Sequence, residues 1–218
     1  KEINCKVFFI HQADKRLFNR GALKNLGFLW IKKRYPKNYK SKTLVFHDID
    51  NLPFKKGVFN WQTKKNEIIH NYGVKYSISK ALGGIVTITC EDFEKMNGYP
   101  NFWTWGYEDN GLYDRACSNN IKIIGPIKVV GDPDIVQLSH GRKRKVNVEY
   151  SVYKYNENKL MGSGINTIKN IDWNEEKIIN KMYFINVKNF TVKMEYPKTI
   201  SNKTPSSNFH REIQKIHY

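Results

Sequence analysis

Short apolar stretches rich in β-branched residues alternate with segments of helical spacing along most of this 218-residue chain. The predicted strands lie at residues 7–10, 43–46, 85–89, 121–124 and 135–138. Predicted helices occupy residues 19–35, 91–97 and 108–119, and one or two further strands are predicted between residues 182 and 194. Because strands and helices that alternate at this length form α/β domains, α/β is the predicted fold class.

The chain has a large positive charge, with 37 Lys and Arg residues against 20 Asp and Glu residues and a formal net charge of +17. Such an excess is typical of proteins that bind nucleic acids, since basic side chains neutralise phosphates. Here the lysines are scattered, and the only dense basic block is residues 142–145. The hypothesis that the chain binds nucleic acids therefore rests on charge alone, and we predict no nucleic-acid partner.

Segments that show neither helical spacing nor a strand-like run of apolar residues are predicted to lie outside the regular core. Residues 141–160 are polar and basic and are predicted to form a mobile connection, and residues 197–208 are predicted to form a loose tail. No run of about 18 apolar residues occurs, so no membrane span is predicted in this chain. The three cysteines lack CxxC spacing, which indicates neither a disulfide framework nor a zinc ribbon.

Two acidic residues, Asp48 and Asp50, follow the predicted strand at residues 43–46. At spacing i and i+2 they are expected to share one face at the carboxyl end of the strand, where open α/β sheets bind ligands. Carboxylates suit a hard divalent cation such as Mg²⁺ or Mn²⁺, which can bridge to a diphosphate. The alternative is an acidic turn that only caps the strand.

An aromatic segment, residues 101–107, leads directly into the acidic pair Glu108 and Asp109. One interpretation is a sugar-stacking platform beside a carboxylate base. The other is a core-packing loop with acidic residues at a helix N-terminus, where the helix dipole favours them. Further along, His140 follows a predicted strand end, and a lone histidine of this kind is more often structural than a ligand.

The order of several motifs closely resembles the β1,4-galactosyltransferase family over about residues 7–192. The motifs are Phe18-Asn19-Arg20, Leu23-Lys24-Asn25-Leu26-Gly27-Phe28, Val45-Phe46-His47-Asp48-Ile49-Asp50-Asn51-Leu52-Pro53, Gly83-Gly84, Met96-Asn97-Gly98-Tyr99-Pro100-Asn101, Trp103-Thr104-Trp105-Gly106-Tyr107-Glu108-Asp109 and His140. Residues 163–167 and 182–192 also resemble the C-terminal segment of the family.

This resemblance implies a single GT-A domain, of the kind found in glycosyltransferase family 7, that acts as an inverting transferase with Mn²⁺, or Mg²⁺, and a UDP-sugar donor. It implies that Phe18, Arg20, Asp48, Gly84 and Trp105 bind the donor, with Asp48 on its ribose or sugar and Trp105 on a mobile loop. It further implies that Asp50 and His140 bind the metal. Glu108 and Asp109 would lie at the junction of donor sugar and acceptor, with Asp109 as the general base.

The chain departs from the family pattern at several positions. Gln137 replaces a methionine that is the third metal ligand of the family, so an amide oxygen replaces a thioether and favours harder cations. Ala81 replaces a tyrosine of the galactose-selective members, which predicts room for a 2-acetamido sugar, from UDP-GalNAc or UDP-GlcNAc, alongside or instead of galactose. Asn110 and Gly111 stand where the family continues its acidic run, which is expected to alter acceptor contacts.

The preferred interpretation is a UDP-sugar glycosyltransferase that acts on a hydroxyl of a glycan or glycoconjugate. The alternative is a catalytically degenerate GT-A module that binds a sugar or nucleotide without turnover. We expect the GT-A domain over residues 1–195, with a donor and metal-binding core over 1–140 and a basic loop with C-terminal strands over 141–195. Residues 196–218 are expected to be a polar tail, and the usual first strand of the family is expected to be missing. The compartment stays open: lumenal, as in the Golgi, for a tethered eukaryotic relative, or cytoplasmic for a viral one.

Overall fold

The computed structural model describes residues 4–138, 144–147, 163–194, 196–198 and 200–203. The helices are α1 (Arg20–Arg34), α2 (Cys90–Lys95) and α3 (Glu108–Ser118), with short 3-10 turns at Tyr39–Ser41 and Ile165–Thr167. The strands are β1 (Val7–Gln12), β2 (Thr43–His47), β3 (Asn51–Pro53), β4 (Glu67–Gly73), β5 (Ile85–Thr89), β6 (Lys122–Ile124), β7 (Lys128–Val129), β8 (Ile135–Gln137), β9 (Arg144–Asn147), β10 (Lys169–Ile179), β11 (Met182–Thr191) and β12 (Ile200–Lys203).

The central sheet has the strand order β2-β5-β4-β6, with β7 also paired to β4. Strand β5 pairs antiparallel with both β2 and β4, whereas β6 and β7 run parallel to β4. Strands β4 and β5 are buried almost throughout, so they form the middle of the core. Helices and strands in this mixed arrangement confirm the predicted α/β class.

A second sheet, of order β1-β11-β10, packs on the opposite side of helix α1. Strand β1 runs parallel to β11, and β10 and β11 form an antiparallel hairpin. One face of α1 contributes Phe28 to the core of the central sheet. Its other face contributes Ala22, Leu23 and Leu26 to a cluster that includes Phe190 of β11. Helix α1 therefore lies between the two sheets.

Helix α1 begins where the sequence predicts, because Asn19 caps it: the Asn19 side chain accepts a hydrogen bond from the backbone of Ala22 at 2.9 Å. Three basic residues in the last turn interact favourably with the negative end of the helix dipole. Near the start, a Cβ on Gly21 would lie 2.0 Å from the carbonyl oxygen of Pro100. Glycine thus lets the first turn of α1 approach the loop that precedes α3.

Most predicted elements are confirmed within a residue or two, but six of the described strands were not predicted: β3, β4, β7, β9, β10 and β12. Strand β3 ends at Pro53 and pairs with β8. Within the segments predicted to be mobile or loose, β9 and β12 form an antiparallel pair. Apart from β9, residues 141–160 lie outside the described residues.

None of the helices that the structure describes has the length and apolar character needed to cross a membrane.

Candidate active site

Four of the predicted site residues meet at one guanidinium, that of Arg20. Its Nη2 donates to both carboxylate oxygens of Asp48 at 2.7 and 2.6 Å. Its Nη1 donates to Glu108 Oε1 and to Asp109 Oδ2, each at 2.7 Å. We call Arg20, Asp48, Glu108 and Asp109 the carboxylate cluster. Charge-assisted hydrogen bonds of this length hold all three carboxylates around one cation.

Three different elements bring these side chains together. Arg20 is the first residue of α1, Asp48 directly follows β2, and Glu108 and Asp109 open α3. The N-terminus of α3 stabilises the two adjacent carboxylates through its dipole. Tyr107, which precedes α3, has a left-handed backbone with φ of 68°. The chain thus turns sharply from the aromatic segment into the acidic pair.

Burial and neighbouring charges give the cluster members different electrostatics. Burial raises the pKa of Glu108, the adjacent Asp109 raises it further, and Arg20 only partly offsets these effects. Burial also opposes ionisation of Asp48, but the charges of Lys24 and Arg20 outweigh it and hold the pKa of Asp48 well below its usual value. The three carboxylates raise the pKa of Arg20 well above its ordinary value despite burial, so Arg20 stays charged.

A glycine loop between β4 and β5 packs directly on the cluster. The backbone of Asp48 donates to the Gly84 carbonyl at 3.1 Å, and Leu82 donates to the Asp109 carbonyl at 3.0 Å. A Cβ on Gly83 would lie 2.7 Å from Asp109 Oδ2, and Gly84 has a φ of +75°. Only glycines fit this close approach between the loop and the carboxylates.

The predicted metal ligands Asp50 and Gln137 are brought together by the pairing of β3 with β8. Leu138 donates its backbone N–H to the Asp50 carbonyl at 2.7 Å. Gln137 Oε1 accepts from the hydroxyl of Tyr72 at 3.2 Å. Burial raises the pKa of Tyr72 to about 12, and the charge of Asp50 adds to this shift. Asp50 and Gln137 therefore both lie close to the buried Tyr72.

The two aspartates of the predicted Asp-x-Asp pair do not share one strand face. Strand β2 ends at His47, and a turn follows in which Asn51 donates to the Asp48 carbonyl at 3.2 Å. Strand alternation therefore does not govern these residues. As a result Asp48 binds Arg20, whereas Asp50 lies near Tyr72.

The donor set at Asp50 and Gln137 suits a hard cation, because both side chains offer oxygen atoms. Within the described segments, no three His, Cys, Asp or Glu side chains form a group that could hold a metal. The predicted third ligand, His140, lies outside the described residues. The side chains of Asp50 and Gln137 thus offer oxygen donors of the kind that Mn²⁺ and Mg²⁺ prefer.

The two aromatic residues predicted to contact the donor, Phe18 and Trp105, are both about half exposed, at 56% and 50%. The carbonyl of Phe18 accepts a hydrogen bond from Thr104 at 2.9 Å, so Phe18 lies beside the aromatic loop. The backbone of Trp105 donates to the Lys145 carbonyl at 3.1 Å, which links this loop to β9. Thr104 and Gly106 have φ values of 75° and 124°.

Sequence reasoning missed two residues that contact this region, Lys24 and Tyr72. Lys24 Nζ lies 3.6 Å from Asp48 Oδ1 and 3.7 Å from Asp109 Oδ1. Its position one helical turn after Arg20 indicates that it lies near the same carboxylates, since residues i and i+4 share a helix face. Tyr72 belongs to β4, a strand that the sequence analysis did not predict, so nothing pointed to it.

Two family models match the sequence. The model described as the N-terminal region of glycosyl transferase group 7 matches residues 1–59, and that described as the N-terminal domain of galactosyltransferase matches residues 65–140. Together they cover well over half of the chain and include all ten predicted site residues.

Curated relatives agree with these models. The chain is 24% identical to β-1,4-galactosyltransferase 1 of Bos taurus over 77% of this chain and 42% of that protein. It is 30% identical to β-1,4-galactosyltransferase 4 of Cricetulus griseus over 68% of this chain and 44% of that protein. The chain therefore spans less than half the length of these curated relatives.

Solved structures show the same fold. The catalytic domain of Drosophila β1,4-galactosyltransferase 7 in complex with xylobiose superposes with a TM-score of 0.68 and 23% identity, over 84% of this chain and 79% of that one. A mutant of the same protein in complex with manganese, UDP-Gal and xylobiose gives a TM-score of 0.62 and 24% identity, with the same coverage. The predicted GT-A fold is thereby confirmed, and with the family models it shows that this chain belongs to the β1,4-galactosyltransferase family.

Proposed function

We propose that the chain is an inverting, metal-dependent glycosyltransferase that moves a hexose from a UDP-sugar to a hydroxyl of a glycan or glycoconjugate. One observation carries this proposal. Of the acidic pair that opens α3, the Asp109 side chain is 21% exposed, whereas that of Glu108 is 5% exposed. Of the two carboxylates, that of Asp109 is therefore the more accessible to an acceptor hydroxyl.

Asp109 acts as the general base of the transfer. Inversion requires one carboxylate to take the proton of the attacking hydroxyl on the face opposite the leaving group. Glu108 suits this role less well, because it is almost fully buried and burial raises its pKa. Glu108 Oε2 also accepts the backbone N–H of Gly106 at 3.2 Å, so this residue fixes the start of α3 instead.

The donor binds to Arg20 and Asp48 of the carboxylate cluster and to three residues near it, Gly84, Phe18 and Trp105. Asp48 is ionised and held by Arg20, so it accepts hydrogen bonds from hydroxyls of the ribose or sugar. The half-exposed rings of Phe18 and Trp105 offer apolar faces for the base and sugar. Closure of the loop that carries Trp105 excludes water, which would otherwise compete as acceptor.

Asp50 and Gln137 would hold the metal, with His140 as third ligand. A cation held by them would supply positive charge for the leaving diphosphate. Tyr72 donates to Gln137 Oε1 at 3.2 Å and thereby orients the amide of Gln137. Oxygen donors favour Mn²⁺ or Mg²⁺ over softer cations. The manganese and UDP-Gal in the complex of the solved relative support both parts of this proposal.

The donor sugar is expected to carry either a hydroxyl or an acetamido group at C2. Ala81 lies two residues before Gly83, on which a Cβ would lie 2.7 Å from Asp109 Oδ2. A methyl side chain at this position leaves room beside the donor that a tyrosine would fill. Because Leu82 is hydrogen-bonded to Asp109, this part of the loop has a fixed distance from the base.

Substitution of Ala81 tests the donor prediction. A81Y is expected to lower turnover of UDP-GalNAc and UDP-GlcNAc by about 10-fold or more relative to UDP-Gal, as one misplaced group in a pocket typically does. The measurement is UDP release with each of the three donors for the wild type and for A81Y, with A81S as the small control. Strict use of UDP-Gal by the wild type contradicts the prediction.

The first test of the function is ligand-dependent stability. UDP with Mn²⁺ is expected to raise the melting temperature, and UDP at 100 times its Kd adds about 2.7 kcal/mol. A panel of UDP-sugars and acceptors, with products identified by NMR, then tests transfer. UDP binding without product on any acceptor favours the degenerate module instead. The absence of a metal-dependent response to UDP contradicts the proposal.

A further inference from the structure

A second cation, Lys24, stands behind the carboxylate cluster. It follows Arg20 by one turn of α1, so both side chains point to the same side of the helix. The Lys24 side chain is only 12% exposed, and its Nζ lies 4.7 Å from the centroid of the Tyr99 ring. A buried ammonium against an aromatic face is stabilised by the ring but still loses its hydration.

Lys24 Nζ has no hydrogen-bond partner within the described part of the chain, and the same is true of Asp109 Oδ1 and the Tyr99 hydroxyl. Lys24 Nζ and Asp109 Oδ1 face each other at 3.7 Å, and Asp48 Oδ1 lies 3.6 Å from the same nitrogen. Burial raises the pKa of Tyr99 well above its ordinary value, and the charge of Asp109 adds to it. Two further buried polar groups, the Lys24 ammonium and the Tyr99 hydroxyl, therefore lie near Asp109.

The second cation offsets part of the negative charge of the cluster. Three carboxylates surround Arg20, and Arg20 alone supplies one positive charge to them. Asp109 Oδ2 is bound by Arg20, whereas Oδ1 has no hydrogen-bond partner among the described residues and faces the Lys24 ammonium at 3.7 Å. If Arg20 exchanges a carboxylate for a phosphate of the donor, Lys24 is the cation that still faces Asp109.

On the basis of the proposed function, we propose that Lys24 is a positioning residue for the base. Its ammonium, seated on Tyr99, fixes the orientation and charge of the Asp109 carboxylate from behind, while the accessible side of Asp109 faces the acceptor. Lys24 does not touch the reacting atoms in this role.

The test compares K24M, K24R and a control on the same helix, K32M. Methionine retains the length of the side chain and its packing on Tyr99 and Phe46, but removes the charge. Lys32 lies two turns further along α1, where it binds Glu94 at 2.5 Å and stays 43% exposed.

In K24M we expect kcat to fall by about 10²-fold with little change in the donor KM, which is the scale of a misplaced catalytic group. The pH profile of kcat/KM is expected to differ between K24M and the wild type, because the positive charge that faces Asp109 Oδ1 is lost. K24R is expected to restore most of kcat, and K32M to retain the wild-type profile.

The remaining charged and titratable groups that face Asp109 are unchanged in these variants: Arg20 on α1, Glu108 on α3, Asp48 after β2, His70 on β4 and Tyr99 before α3. A shift that appears in K24M and not in K32M therefore reports the loss of the Lys24 charge.

A second measurement is independent of turnover. The ¹³Cγ resonance of Asp109, assigned by its loss in D109N, is expected to shift in K24M relative to the wild type and not in K32M, because the ammonium 3.7 Å from Oδ1 is removed. If the wild type shows no transfer but this shift is present, the proposed function fails while the coupling of Lys24 to Asp109 stands. If the wild type transfers sugar and K24M has wild-type kcat, pH profile and ¹³Cγ chemical shift, the positioning role is overturned and the proposed function stands.

Discussion

His70 is fully buried on strand β4, and both nitrogens of its ring have partners. Nε2 lies 2.8 Å from the Gly83 carbonyl, and Nδ1 lies 2.8 Å from the hydroxyl of Tyr76. A carbonyl can only accept, so Nε2 carries the proton and the Tyr76 hydroxyl donates to Nδ1. The neutral ring therefore fixes the residue next to Gly84 and, through it, the loop on Asp109.

Burial lowers the pKa of His70 from its usual 6.5, so the unfolded chain binds this proton more readily than the folded one. The contribution to stability is therefore complete above about pH 6.5 and is lost as the pH falls, by at most about 1.4 kcal/mol per pH unit. H70Q is expected to remove this part of the pH dependence in urea unfolding between pH 5 and 7. The exposed His11 supplies the control H11Q, and an equal pH dependence in H70Q and the wild type contradicts the assignment.

At the scale of single residues, sequence motifs identified the charged members of the site but not their partners. Asp48, Glu108 and Asp109 stand at predicted strand and helix ends, where carboxylates are conspicuous in a sequence. Tyr72 and His70 lie within a buried strand, and only their contacts with Gln137 and Gly83 connect them to the site. Contacts between residues that are far apart along the chain do not produce a local pattern in the sequence.

At the scale of elements, β4 was missed because it carries polar residues in a buried strand. Asn71 is fully buried and donates to Thr87 at 2.8 Å and to the Asn60 carbonyl at 2.9 Å. With its partners in place, a buried amide costs little, but in sequence it interrupts the apolar run that identifies a strand. By contrast α1, α2 and α3 have caps or acidic first turns that predict their starts closely.

The glycine loop between β4 and β5 offers a direct test of close packing. A Cβ on Gly84 would lie 2.4 Å from the Tyr72 carbonyl oxygen, whereas Gly57, with a similar φ of +80°, has nothing within 4 Å. G57A is expected to cost about 1 kcal/mol from its left-handed backbone alone. G84A is expected to cost roughly 2 kcal/mol more through the collision. Chemical denaturation of both variants measures the difference, and equal losses contradict the close approach.

At the scale of the whole molecule, the N-terminal strand β1 depends on β11, more than 170 residues later, as its parallel partner. Phe190 of β11 is fully buried, and its ring stacks on Trp103 with centroids 5.6 Å apart. The same cluster contains Leu23 and Leu26 of α1, the helix that carries Arg20 and Lys24. The second sheet therefore supports the site from behind.

Removal of the Phe190 ring is expected to destabilise the whole fold. F190A is expected to cost about 3–5 kcal/mol, since it removes a buried ring and leaves a cavity beneath α1. The control I179A lies on the neighbouring strand β10 and is 58% exposed, so a change within about 0.5 kcal/mol is expected. Urea unfolding followed by tryptophan fluorescence measures both. A small loss for F190A would show that the second sheet folds separately from α1.

The central claim is that Asp109 is the base of a sugar transfer at the carboxylate cluster. The most direct measurement is sugar transfer from a UDP-sugar, with the product detected by NMR, together with UDP binding, for the wild type, D109N and the control D114N on the same helix. We predict that D109N lowers kcat by about 10²- to 10⁴-fold with unchanged UDP affinity, and that D114N transfers like the wild type. Full transfer by D109N would contradict the account.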